Sequence, residues 1–287
     1  MVSSIGYGKL LLFGEYCALL GCAAIGVTLP CFLRLSSSST PRTALLPHIP
    51  LCKNMTCMQK SLQSKKLYVQ STVPQSGGFG SSAALATALS RYFYGNNKNT
   101  WKHAHQFEMY YHGKSSGIDT GLANGNPFCV YSFQFLSGHT LPQKRKIHTP
   151  SLYLLIMGVR RKYSTRQAIA NISWHNTKTK KLLHKLSVFS QHAISLISQK
   201  ASGEGFGTLA TKAHQTLREL GVYDQRIDKL LTAGLQEGAV GGKLSGSGGT
   251  CYLICLQKEV ALHIKNILQS ILSKFQGIGP WIIHIGK

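Results

Sequence analysis

The segment PQSGGFGSSAAL, Pro74 to Leu85, constrains this chain more than any other stretch. Gly77, Gly78 and Gly80 fall within four residues, and two serines and an alanine-rich run follow. Glycine tolerates backbone angles that other residues resist and lets a ligand come close to the main chain. The run after Gly80 predicts a helix to about Tyr94, which sets Ser81 or Ser82 in its first turn. N–H groups without helical partners and the helix dipole favour an anion there. Such a loop suits phosphate. It is not a P-loop, because no Lys-Ser or Lys-Thr follows the last glycine. A glycine turn feeding a buried Ala/Leu helix fits the same residues equally well, so the choice needs the rest of the chain.

Two further stretches bear on it. GKLLLFGEYCALLG (Gly8–Gly21) lies near the N-terminus and KLSGSGGTCYLI (Lys243–Ile254) near the C-terminus. Together with the central segment they resemble, in order, the three motifs of the GHMP kinases, small-molecule kinases acting on galactose, homoserine, mevalonate and phosphomevalonate. The family's middle motif reads roughly Pro-x-x-x-Gly-Leu-Gly-Ser-Ser-Ala. This chain matches it from Pro74 to Ala83, with Phe79 in place of the leucine.

The most specific likeness is HGKSSGIDTGLA, beginning at His112, which resembles the mevalonate-kinase segment His-Gly-x-Pro-Ser-Gly-Val/Ile-Asp. Ser115 replaces its proline. The resemblance puts Asp119 at the catalytic aspartate and Glu108 at the magnesium-binding glutamate, and the eleven-residue interval between them also matches. It implies that Lys9 lies near the transferred phosphate. ATP would lie on Pro74, Gly77, Gly78, Gly80, Ser81, Ser82 and Ala83, with Mg2+ on Ser82 and Glu108. Substrate contacts would come from Glu15, Tyr16, His112 and Thr165, and a third glycine loop from Gly246, Ser247, Gly248 and Gly249. Mevalonate kinases have a histidine after the glutamate, whereas Tyr16 stands here, as in many phosphomevalonate kinases. The third loop is one glycine shorter than theirs. VRRKYSTRQAIANI, which follows Gly158, resembles the family's Val-Pro-Arg-x-Thr-Arg-x-x-Val stretch through Thr165 and Arg166. Read without the family, Lys9 is a solvated strand-end lysine, Asp119 a turn aspartate and Glu108 a solvated helix residue.

Charge needs separate treatment. Thirty-two Lys and Arg against nine acids give +23. A positive field steers anionic nucleotides and phosphorylated substrates inward. The excess is spread along the chain rather than gathered into an arm, so no dedicated nucleic-acid module is expected. No apolar run is long enough to cross a bilayer, and no secretory leader is recognisable at the N-terminus, so a cytoplasmic location without a membrane partner is expected. The eight cysteines include no Cys-x-x-Cys pair, which favours reduced thiols over disulfides or zinc. His103 and His105 would point apart on a helix, so no metal site is expected there.

Along the chain, residues 1–35 predict strands joined by tight turns, with Gly14-Glu15 punctuating LLLF and CALL like a hairpin. Ser36 to Gln70 reads as loop with one short helix, Trp101 to Tyr111 as helix, and Pro127–Phe135 as strand. QKRKIH reads as a basic turn, LYLLIMG (Leu152–Gly158) as a buried strand, and Trp174 to Gly238 as helices. A glycine turn into a strand, an amphipathic helix and a closing strand complete the chain.

The expectation is therefore an α+β GHMP kinase fold, with a ribosomal-protein-S5-like N-terminal domain (1–150) and a ferredoxin-like C-terminal domain (151–287). Its cofactors would be ATP and Mg2+ and its partner a small-molecule substrate, mevalonate first, with a homodimer as candidate assembly. Phosphomevalonate kinase, homoserine kinase and a non-catalytic basic binding protein on the same fold are the alternatives.

Overall fold

The computed structural model describes residues 3–38, 44–45, 66–112, 115–125, 128–132, 141–146, 151–161, 163–199 and 201–286. The chain forms two compact units, each discontinuous in sequence. Unit 1 comprises Met1–Lys9, Thr28–Pro74 and Gly80–Pro127, and unit 2 comprises Leu10–Val27, Gln75–Phe79 and Phe128–Lys287.

Two long strands, β1 (Ser3–Phe13) and β2 (Ala24–Ser36), pair with each other. In unit 1, Leu33 to Ser36 of β2 pair antiparallel with β4 (Tyr68–Ser71), which pairs with the short β3 (Ala44–Leu45). Three helices complete the described part of this unit: α1 (Ser81–Tyr94), α2 (Thr100–His112) and α3 (Ile118–Ala123). The alanines of α1 are short enough to bring its backbone against β1, where Ser4 Oγ donates to Ala88 O at 2.7 Å. Ala83, Ala84, Ala88 and Leu89 are fully buried, so the alanine run is a packing face. Trp101 Nε1 donates to Gly117 O at 2.8 Å, fixing α2 to the turn that opens α3.

In unit 2, Ala24 to Val27 of β2 pair with β5 (Phe128–Ser132), and β5 pairs with β6 (Gln143–Lys146). A second sheet has the antiparallel order β10-β7-β9-β8, from β7 (Leu152–Gly158), β8 (Gly241–Ser245), β9 (Thr250–Cys255) and β10 (Ile278–Ile285). Its central strands are near-continuous apolar runs, as burial on both faces requires. The helices of this unit are α4 (Thr165–Ala170), α5 (Thr177–Ser198), α6 (Gly203–Glu219), α7 (Gln225–Gln236) and α8 (Lys258–Lys274). Their starts follow capping chemistry: a Ser164/Gln167 capping box before α4, Asn176 before α5 and Asp224 before α7. Each such cap contributes about 1 kcal/mol.

The boundary expected near residue 150 divides the sequence, whereas contact divides the chain elsewhere. Leu10–Val27 joins unit 2 through specific bonds. Ser245 Oγ accepts from Leu11 N at 3.0 Å and donates to Leu11 O at 2.8 Å, and Tyr252 Oη donates to Leu12 O at 2.7 Å. Phe13 meets Phe206 edge-on with ring centroids 5.0 Å apart.

Two local expectations are corrected. CALL is not a strand: Cys17–Leu20 is a single 3-10 turn, and the chain reverses through it into β2. Four residues ending on a glycine close a turn more readily than they extend a ladder. QKRK is not a turn but strand β6, because pairing with β5 supplies backbone bonds that composition does not reveal. Of the 36–70 stretch read as loop, Ser36 belongs to β2, Ala44–Leu45 is β3 and Tyr68 to Gln70 belong to β4, while 39–43 and 46–65 lie outside the described residues.

Candidate active site

In unit 1 the first turn of α1 is built as expected. Gly80 is its N-cap residue, with φ of 83°, and no side chain caps the helix. The first helical bond runs from Ala84 N to Gly80 O at 2.9 Å, and the amides of Ser81, Ser82 and Ala83 precede it. Gly80 is required twice over. Its φ is left-handed, and a Cβ there would come within 2.5 Å of Lys9 Cγ. The Lys9 stem therefore runs against the glycine, and its ammonium is carried to Asp119.

Lys9 Nζ lies 2.9 Å from Asp119 Oδ2, with Lys9 buried and about a third of the Asp119 side chain (35%) exposed. Asp119 stands in the first turn of α3, where a carboxylate complements the helix dipole. Glu108, on α2, is 3% exposed. Its Oε2 accepts from Ser115 Oγ at 2.7 Å, and Ser115 Oγ also accepts from Gly117 N at 3.1 Å. Burial, and then the charge of Asp119, push the Glu108 carboxyl up to about 8, against the Ser115 hydrogen bond and the Lys9 charge. Two carboxylates close enough to repel, one of them buried, call for a cation. Magnesium typically takes one or two carboxylates and completes its shell with phosphate oxygens and water, so buried Glu108 fits it, with the Asp119 charge close by. Ser82 is exposed in the first turn of α1. No cluster of three or more His, Cys, Asp or Glu suited to a metal occurs among the described residues.

A carboxyl that holds its proton more tightly folded than unfolded loses stabilising influence as pH rises. For Glu108 the window runs from the ordinary 4.5 to about 8, with no further change above it. The unfolding free energy of metal-free protein, wild type minus Glu108→Gln, should fall between about pH 5 and about pH 8. Urea titrations across that range check it, and a flat difference would remove the raised carboxyl.

Unit 2 holds the other glycine loop and the first motif's acid. Gly246, Gly248 and Gly249 all take positive φ. Thr250 Oγ1 donates to Gly77 O, Arg161 N to Ser76 O at 2.9 Å, and Val159 N to Gly249 O at 2.7 Å. The third loop and the Gln75–Phe79 segment are thus tied to the end of β7. Phe79, the substituted motif position, is fully buried and packs edge-on against Trp281 at 5.3 Å. Glu15, expected at the substrate, is 2% exposed and bound internally. Its Oε1 accepts from Lys243 Nζ and from Gly246 N at 3.4 Å. Lys243 is fully buried, donates to Leu244 O at 2.8 Å, and lies over the rings of Phe13 and Tyr252. Burial raises the Glu15 carboxyl and lowers the Lys243 ammonium, each opposed by the other's charge.

Beside this network is a pocket of about 200 Å³ lined by Tyr16, Arg161, Asn171, Tyr223, Asp224 and Ser247, among others. Tyr16 sits at φ 58°, ψ −45°, a strained conformation for a bulky residue, and its buried hydroxyl has no partner among the described residues. Arg161 Nη1 donates to Thr165 Oγ1 at 3.0 Å and to Ser247 Oγ at 2.9 Å. Thr165 thus orients an arginine, and Arg166 beside it is exposed. The side chain of His112 lies outside the described residues. Sequence reasoning missed Arg161, Lys243 and Ser115 as site residues. The first two carry a signal, since a basic residue inside an otherwise apolar or glycine-rich stretch needs a partner once buried.

A helix start open to anions beside a lysine and two carboxylates is the equipment of phosphoryl transfer, where positioning and charge neutralisation do most of the catalysis. Known proteins agree with that class. The family description "GHMP kinases N terminal domain" matches residues 51–123, and "GHMP kinases C terminal" matches residues 193–274. Together they span more than half of the chain, which belongs to the GHMP kinase family and with it to the ATP-dependent phosphotransferases. A mevalonate kinase of Archaeoglobus fulgidus is 24% identical over 84% of this chain and 87% of its own length. One of Thermococcus sibiricus is 30% identical over 69% of this chain and 62% of its own length. The fold is also that of L. major mevalonate kinase in complex with R-mevalonate (TM-score 0.73, 20% identity, 99% of this chain and 95% of that one). Streptococcus pneumoniae phosphomevalonate kinase shares it too (TM-score 0.77, 13% identity, 99% and 100%). The α+β GHMP kinase fold expected from the motifs is the fold of this chain. No helix among the described residues is long and apolar enough to cross a membrane.

Proposed function

We propose that the protein transfers the γ-phosphoryl group of ATP to the primary hydroxyl of mevalonate. The observation that carries the chemistry is the Lys9–Asp119 pair at 2.9 Å, next to buried Glu108. Asp119 takes or orients the hydroxyl proton, and Lys9 lowers the hydroxyl's pKa and offsets charge on the moving phosphoryl group. The amides of Ser81 to Ala83 and the glycines before them hold nucleotide phosphates. Ser82 and Glu108 would hold magnesium, with Asp119 close by, and the ion would supply charge neutralisation at the outer phosphates. In unit 2, the Arg161 guanidinium, held in a fixed orientation by Thr165 and Ser247, suits a carboxylate. The Tyr16 hydroxyl, without a hydrogen-bond partner among the described residues, suits a polar acceptor. The names of the curated relatives support mevalonate over other hydroxy acids.

ADP release measured with MgATP and a panel of mevalonate, phosphomevalonate and homoserine tests the acceptor. Turnover with mevalonate is expected to exceed that with the others by at least about tenfold in kcat/KM, the scale of one well-placed polar contact. Use of phosphomevalonate instead would overturn the acceptor and leave the kinase standing. ATP binding without turnover on any acceptor would favour a non-catalytic protein on the same fold.

A further inference from the structure

The 3-10 turn Cys17–Leu20 ends at Gly21, whose φ is 83°. Gly21 N donates to Ala18 O at 3.1 Å, and Cys22 N donates to Cys17 O at 3.2 Å. These nested bonds form a Schellman ending, which brings the residue after the glycine beside the residue that starts the turn. Here both are cysteines, and both thiols are free. A bond between one residue's N–H and the other's carbonyl keeps their Cα atoms within disulfide reach, roughly 4.4–6.8 Å.

The pair is chemically unequal. Cys17 is fully buried, whereas Cys22 is partly exposed. Ser187 and His184, one turn apart on α5, are neighbours that favour the Cys22 thiolate. The neighbouring Cys17, Ser187 and His184 lower the Cys22 thiol to about 6, while the neighbouring Cys22 and burial raise the Cys17 thiol. A reachable thiolate beside a shielded thiol is the division of labour that thiol–disulfide exchange uses.

The geometry points to Cys17 and Cys22 as a redox modification site, closed to an intramolecular disulfide by a small-molecule disulfide such as glutathione disulfide. The Cys22 thiolate attacks one sulfur of the oxidant, forming a mixed disulfide and expelling one thiolate. The Cys17 thiol then gives up its proton and attacks the Cys22 sulfur, expelling the second. Two protein thiols lose two electrons and two protons, and the oxidant becomes two thiols. The site stands independently of the acceptor reading. The turn begins directly after Glu15 and Tyr16, so the cross-link stiffens a segment that lines the Arg161 pocket.

Mass mapping of the full chain tests this after equilibration in glutathione buffers and alkylation with iodoacetamide. Cys31 shares a tryptic segment with the pair and is replaced by serine throughout. The expected product is a segment two hydrogens lighter and unalkylated, which dithiothreitol reverts. Cys17→Ala should trap Cys22 as the glutathione adduct, and in Cys22→Ser the buried Cys17 should alkylate only after unfolding. The alkylation of Cys22 at neutral pH should also slow by about threefold or more in Cys17→Ala, as the thiolate loses the neighbouring thiol. Separate alkylation of both cysteines at every glutathione ratio, or pairing of Cys22 with a different cysteine, would overturn the proposal. An adduct at Cys22 that persists with Cys17 present would also overturn it.

Discussion

Asp119→Asn is expected to lower kcat by about two to four orders of magnitude while ATP affinity barely changes. The asparagine keeps the side chain's shape but removes the group that takes the hydroxyl proton, and the loss is felt in the transition state. It also removes the charge 2.9 Å from Lys9 Nζ, so part of the drop comes from a displaced ammonium. Glu108→Gln separates the two acids. A neutral amide is a poor ligand for a hard dication, so this variant should need more magnesium and recover part of its activity in excess. Asp119→Asn should recover none. Circular dichroism should show both folded. Near-normal turnover in Asp119→Asn, or equal rescue of the two by magnesium, would mean the two roles are wrongly assigned.

The largest expected loss of stability belongs to Lys243. Its ammonium is fully buried against Glu15, and Lys243→Met leaves a nearly inaccessible carboxylate with Gly246 N as its remaining described partner. Breaking a buried pair from one side costs about 3–5 kcal/mol. For a chain of this size that lowers Tm by about ten degrees. Glu15→Leu in the same background removes the orphaned charge and should return much of the loss, because an apolar pair of similar volume is often as stable. Thermal unfolding of the two single variants and the double variant gives the coupling. If Lys243→Met costs less than about 1 kcal/mol, or the double variant is no better than the single, the pair is not what holds the loop.

The N-terminal segment shows where reading by sequence stops. Gly14-Glu15 predicts a reversal, and the chain does reverse, but through a 3-10 turn closed by Gly21 rather than a hairpin into CALL. The family resemblance places Glu15 at the substrate, and the structure adds that its carboxylate is bound inside the protein. Its neighbour in space is Lys243, which is 228 positions away and which no local pattern reveals.

What the sequence determined by itself is local and periodic. The glycines before Ser81 allow a helix start with positive φ at Gly80, a conformation in which a side chain would be strained. The alanine run dictates a close-packed helix, and the apolar runs at Leu152 and Cys251 dictate buried strands. The resemblance of the His112–Asp119 segment to the mevalonate-kinase pattern points to Glu108 and Asp119 before any fold is known. Tertiary structure alone decided which polar groups face each other. It made Arg161 a held guanidinium, made Glu15 and Lys243 a buried pair, and joined Leu10–Val27 to unit 2. The reason is physical: backbone conformation follows from short-range sterics and periodicity, whereas the partner of a buried charge is set by which distant segments the core brings together.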